Sequence, residues 1–147
     1  MTNAFRRPFP YALGLIATVA VGAAQGPAPS TSPGSEAGAS IDRGRYLTHE
    51  VAMCVQCHSP RDAKGRIIEG REFQGAPIPI VSPYPEARFA LAAPNIRELA
   101  RSSGESIVRL LRTGIGRDGK PPDLPMPPFR MNAEDARSIV LYLQSLD

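Results

Sequence analysis

Cys54, Cys57 and His58 stand together in the segment C-V-Q-C-H, and their types and spacing suit one chemistry. A single helical turn ending at Cys57 presents both sulfurs to one side, with the histidine directly after them. C-x-x-C-H is the attachment pattern for a c-type haem. The two thiols add across vinyl groups to form thioethers, and the histidine becomes an iron ligand. Three alternatives compete. A structural zinc site needs four ligands, and only Cys54, Cys57, His58 and His49 are on offer. A thioredoxin-like dithiol needs a strand leading into the motif and a parallel sheet around it, neither of which is visible. A plain disulfide in an exported protein is the third.

Haem iron in such centres takes a second axial ligand. His49 lies only nine residues before His58, which places it away from the far side of a ring held by His58. Of the four methionines, Met1 is lost with the N-terminus and Met53 adjoins Cys54 as a packing residue. Met131 precedes a helix start, where its expected part is an apolar staple onto Ala136. Met126 sits in L-P-M-P-P-F, where flanking prolines stiffen the loop and project the thioether. Met126 is therefore the expected distal ligand, with Met131 as the alternative and a core methionine as the plain reading of Met126.

The elements that must position these residues are few. The chain has 147 residues, 42% of them hydrophobic, with 16 Pro, 13 Gly and no Trp, enough for one modest domain. Ser40 or Asp42 caps a first helix carrying Ile41, Tyr46, Leu47 and Val51 to about Cys54, with Gly44 inside it as the mark of a close crossing. From Ser59 to Ser102 no periodicity persists. The stretch A-P-I-P-I-V-S-P-Y-P at Ala76 to Pro85 must run extended, because its prolines remove donors and fix φ. Ser102 and Glu105 form a capping box for a helix whose apolar stripe is Ile107, Val108, Leu110 and Leu111, ending at Gly114. Asn132 and Asp135 cap a last helix with Ala136, Ile139, Val140, Leu143 and Leu146 on one face. Three helices around long loops bury little by themselves, and a bulky apolar prosthetic group would fill the deficit.

Ahead of this domain, Arg6 and Arg7 precede an uncharged run from Phe9 to Ala24, the layout of a secretory signal peptide. The run is short and Ala-rich for a retained membrane anchor, which is the alternative. Residues 25–40, rich in Pro, Ser and Gly, form a flexible linker, and residues 41–147 the domain. Cleavage near Ala24 leaves 15 basic against 14 acidic side chains, which removes the electrostatic case for nucleic-acid binding.

The chain resembles a class I bacterial c-type cytochrome, a single-haem domain of the kind found in or beside periplasmic dehydrogenase and oxidase systems. G-R-Y-L before C-V-Q-C-H, S-P-R-D-A-K-G after it, A-P-N-I at Ala93 to Ile96, L-L-R-T-G at Leu110 to Gly114, M-P-P-F at Met126 and the terminal E-D-A-R-S-I-V-L-Y-L-Q-S-L fall in the family's order. The resemblance implies an all-α, cytochrome c-like fold, three main helices and long loops around one covalent haem. It implies Cys54, Cys57, His58 and Met126 as attachment and axial residues. It also implies that the first and last helices cross at right angles, with Gly44 against the Val140 to Leu143 face. The departure is the long Ser59 to Ser102 stretch, in which Pro60 and Asn95 are candidates to approach the haem, though each reads first as a turn residue.

Iron closed by His58 and Met126 has no vacant position for substrate, which suits one-electron transfer and not catalysis. The expected partners are redox proteins: a periplasmic dehydrogenase as donor, and a terminal oxidase or another cytochrome as acceptor. The alternatives are an electron-transfer subunit of a multisubunit periplasmic dehydrogenase and, less favoured, a haem enzyme or gas sensor. Arg43, Arg45, Arg61, Arg66, Arg71 and Arg88 are candidates to neutralise haem propionates, with solvated surface as the plain reading of each.

Overall fold

A computed structural model describes residues 38–147. The expected signal peptide and most of the expected linker fall outside the described residues, among which no helix is long and apolar enough to cross a membrane. Four helices carry the fold. They are α1 (Ile41–Tyr46), α2 (Cys54–His58), α3 (Ile96–Thr113) and α4 (Ala133–Ser145). A two-residue antiparallel pair joins β1 (Ala76–Pro77) to β2 (Ala92–Ala93), and the remaining connections are irregular. The fold is predominantly helical, as expected.

Ser40 caps α1 by accepting from the Arg43 N–H at 3.2 Å. The helix does not run unbroken to Cys54. It widens into a π-helical turn over Leu47–Val51, and Met53 then takes a left-handed conformation (φ 54°) that separates it from α2. The C-V-Q-C-H motif thus has its own helical turn, re-aimed by Met53.

α4 packs against both α1 and α3. Its apolar face supplies Ala136, Ile139, Val140 and Leu143 to the core, with Leu146 packed at the edge. Each such aliphatic chain contributes about 1.5–3 kcal/mol by leaving water. Asn132 caps the helix through the Asp135 N–H at 2.8 Å. Gly44 faces Tyr142, within the expected Val140 to Leu143 stretch, and also Ser138, one turn before it. A Cβ on Gly44 would collide with the Ser138 backbone and lie 2.7 Å from the Tyr142 Cβ. Hydrogen at position 44 lets the two helices touch.

α3 begins six residues earlier than Ser102. Asn95 caps it by accepting from the Glu98 N–H at 3.1 Å. The capping signal at Ser102 and Glu105 marks a kink instead, where Ser103 leaves helical geometry (φ −151°, ψ 39°). Ser102 donates back to the Glu98 carbonyl at 2.9 Å, a bond that offers the helix backbone competition at this point. The apolar stripe beyond the kink divides its work. Val108 and Leu111 join the core, while Ile107, Leu110 and Leu111 line a cavity.

Candidate haem site

The cavity, about 390 Å³, is enclosed by α2, the segments after it, α3, the loop before α4, and α4 itself. Cys54, Cys57 and His58 line it, and so does Met126. The rest of its wall is overwhelmingly apolar, including Ile78, Leu99, Ile107, Leu110, Phe129 and Leu143. Among the described residues, Asp123 is the one carboxylate on that wall. A bulky, largely apolar group with one polar edge fits such a lining, and the volume lies in the range of cofactor pockets.

Cys54 is half-buried and Cys57 exposed, and both are free thiols. Burial pushes the Cys54 thiol up to about 11, partly opposed by a backbone hydrogen bond. A redox dithiol needs its attacking cysteine pushed the other way, so this environment disfavours the thioredoxin-like alternative. Among the described residues no three His, Cys, Asp or Glu side chains gather to hold a metal ion, which leaves the zinc alternative without a ligand set.

His58 is buried, and burial holds its imidazole below the usual histidine range, with the Pro94 carbonyl acting in the opposite sense. Nδ1 lies 2.9 Å from the Pro94 carbonyl oxygen. A carbonyl only accepts, so Nδ1 carries the proton and the Nε2 lone pair is left for a ligand. Pro94 belongs to the A-P-N-I segment, where Asn95 read first as a turn residue with haem approach as the alternative; Asn95 caps α3. The backbone carbonyl had no side-chain signal by which to be found. The Pro60 carbonyl accepts from the Ile68 N–H at 3.0 Å, beside the antiparallel bridge of Arg61 and Ile67, and Pro60 does not line the cavity.

Gly75 completes this corner. Its N–H donates to the His58 carbonyl at 2.8 Å, and its φ is 84°. A Cβ there would lie 2.9 Å from the Ala93 carbonyl oxygen. Beside it, Phe73 is fully buried at a positive φ of 62°. A conformation of this kind costs about 1–3 kcal/mol and persists where its surroundings over-determine it. Here the Phe73 N–H donates to Ser59 Oγ at 3.0 Å, and its carbonyl accepts from the Ile96 N–H at 3.0 Å.

His49 is absent from the cavity wall. Its Nε2 lies 3.0 Å from the Tyr142 hydroxyl, and its ring packs edge-on against Phe73 and Tyr142. Met131 packs against the hydrophobic core and donates its N–H to Leu111 at 2.9 Å. Met126 lines the cavity and Met131 does not, while Met53, beside Cys54, lines it as well.

The six arginines considered for propionates do not line it either. Arg43 pairs with Asp135 and Arg66 with Asp62, each at 2.8 Å. Arg88 alone reaches the wall, through Asp123 at 3.0 Å.

A cytochrome c family model matches residues 41–147, from the first residue of α1 to the end of the chain. The chain belongs to the cytochrome c family. It is 32% identical over 110 residues to a diheme cytochrome c-type protein of Cereibacter sphaeroides. The match covers 70% of this chain and 34% of that relative, so the chain spans about a third of the relative's length. A class I bacterial c-type cytochrome domain therefore occupies Ile41 to Asp147.

Proposed function

We propose that this domain passes one electron at a time between redox proteins in the periplasm. The haem would be attached at Cys54 and Cys57 and ligated by His58 and Met126. The observation that carries the reading is the shared wall of one apolar cavity, on which all four residues stand. When bound, the haem supplies a one-electron couple whose potential a thioether ligand raises.

The protein's part is to hold the ligands and exclude water. The Pro94 carbonyl fixes the His58 tautomer, and the apolar lining disfavours extra charge on the iron. Met126 would hold the position that substrate or oxygen needs, which suits a carrier over an enzyme or gas sensor.

A second reading has one observation in its favour. The matched relative is a diheme protein about three times as long as the region shared with this chain. An electron-transfer domain working beside a second redox centre, in a periplasmic dehydrogenase or a chain of cytochromes, accords with that.

Intact mass and a pyridine haemochrome spectrum of the native exported protein test the proposal together. We expect one covalent haem, two thioether links and an N-terminus near Gln25. Haem colour lost to acid-acetone extraction would refute covalent attachment. A mass retaining residues 1–24 would favour the membrane anchor.

A further inference from the structure

The loop carrying Met126 has few means of holding itself. Five of the eight residues from Pro121 to Pro128 are prolines, so only Asp123, Leu124 and Met126 bring an N–H. The Met126 N–H closes a turn onto the Asp123 carbonyl at 3.2 Å. The other fastenings come from outside, from the long insertion between α2 and α3. The Leu124 N–H donates to the Arg88 carbonyl at 3.1 Å, and the Leu124 carbonyl accepts from the Ala90 N–H at 2.7 Å. The Arg88 guanidinium grips the Asp123 carboxylate with two nitrogens, Nε to Oδ1 at 3.0 Å and Nη2 to Oδ2 at 3.2 Å. Asp123, Met126 and Ala90 all line the same cavity.

We infer that Arg88 is a positioning residue for Met126, and that the insertion holds the distal-ligand loop closed over the cavity. The inference rests on the assignment of Met126 as axial ligand. A planar guanidinium on a carboxylate fixes direction as well as distance, and Asp123 passes that constraint to Met126 through the turn they share. The pair is exposed, with 69% of the Arg88 side chain open to solvent. It therefore adds little to global stability, and its effect is local, on how often the thioether leaves the iron.

The test uses the haem-loaded protein at low salt and follows three quantities: the methionine-to-iron charge-transfer absorption, the rate of carbon monoxide binding to the ferrous form, and the thermal midpoint. Arg88→Ala should speed carbon monoxide binding about two- to fivefold, the factor an exposed ion pair commands, while hardly moving the midpoint. Arg88→Asp should speed it further. Combining Arg88→Asp with Asp123→Arg should return the rate to within about twofold of the unmodified protein. Arg88→Lys, with a single donor group, should fall between the unmodified protein and Arg88→Ala. Met126→Ala is the control. If it changes both spectrum and rate while the Arg88 variants change neither, or if the charge swap restores nothing, the positioning role is wrong. If Met126→Ala changes neither, the ligand assignment fails first and the inference falls with it.

Discussion

The Nδ1 of His58 and the carbonyl oxygen of Pro94 lie 2.9 Å apart, 36 residues distant in the chain. That contact joins the Cys54–His58 turn to the segment entering α3, and Gly75 is wedged beside it. The Gly75 N–H reaches the His58 carbonyl while its α-carbon approaches the Ala93 backbone. Orientation of the His58 ring thus depends on a backbone passage that carries no reactive side chain.

Gly75→Ala should destabilise the haem-loaded protein by about 1–3 kcal/mol, because the new Cβ meets backbone atoms at a positive φ. Urea unfolding followed by haem absorbance would show it. A change below about 0.5 kcal/mol, the range of ordinary surface substitutions, would mean that this corner yields freely.

Gly44→Ala should be the more damaging. The clash is with the Ser138 main chain, and neither α1 nor α4 has a flexible side chain there to move aside. Overpacking of this severity costs about 3 kcal/mol, and unfolding in denaturant should show an earlier midpoint. Near-normal stability would show that the two helices separate without penalty.

Acid should weaken the same junction. The Arg43 guanidinium, hydrogen-bonded to Asp135, holds that carboxyl below the usual carboxylate range. A depressed native value means the contribution is present above the ordinary range, near pH 4, and is lost as pH falls through it and below. Denaturation midpoints measured from pH 7 down to pH 3 should fall in the native protein. The acid limb should be shallower in Asp135→Asn, which keeps the backbone donor to Asn132. Parallel acid limbs in the two proteins would contradict the coupling.

Much of this architecture is legible in the sequence, because its signals are local. C-V-Q-C-H forms the helical turn its spacing implied, Asn132 and Asp135 announce α4, and the proline-rich Ala76 to Pro85 stretch excludes helix. The misreadings arise where tertiary contacts decide. Ser102 and Glu105 have the composition of a helix start, but Asn95 had already begun α3, helped by the Phe73 carbonyl 22 or more positions back in the chain. The break before Cys54 depends on Met53 adopting a left-handed conformation, which its residue type does not foretell. Tyr142 lies off the aliphatic stripe of α4, yet it is buried against α1 and the His49 and Phe73 rings. The fastening of Arg88 to Asp123 joins residues 35 positions apart, beyond the reach of any local pattern.

The central claim is a closed iron held by His58 and Met126, and the spectrum of two methionine variants tests it most directly. Met126→Ala should abolish the methionine-to-iron charge-transfer absorption, lower the reduction potential and open the ferrous iron to carbon monoxide. Met131→Leu should keep the native spectrum and cost under about 1.5 kcal/mol, since Met131 packs on the core and leucine nearly matches its volume. An unchanged spectrum in Met126→Ala with an altered one in Met131→Leu would contradict the assignment. Ready carbon monoxide binding by the unmodified ferrous protein at neutral pH would contradict the closed site itself.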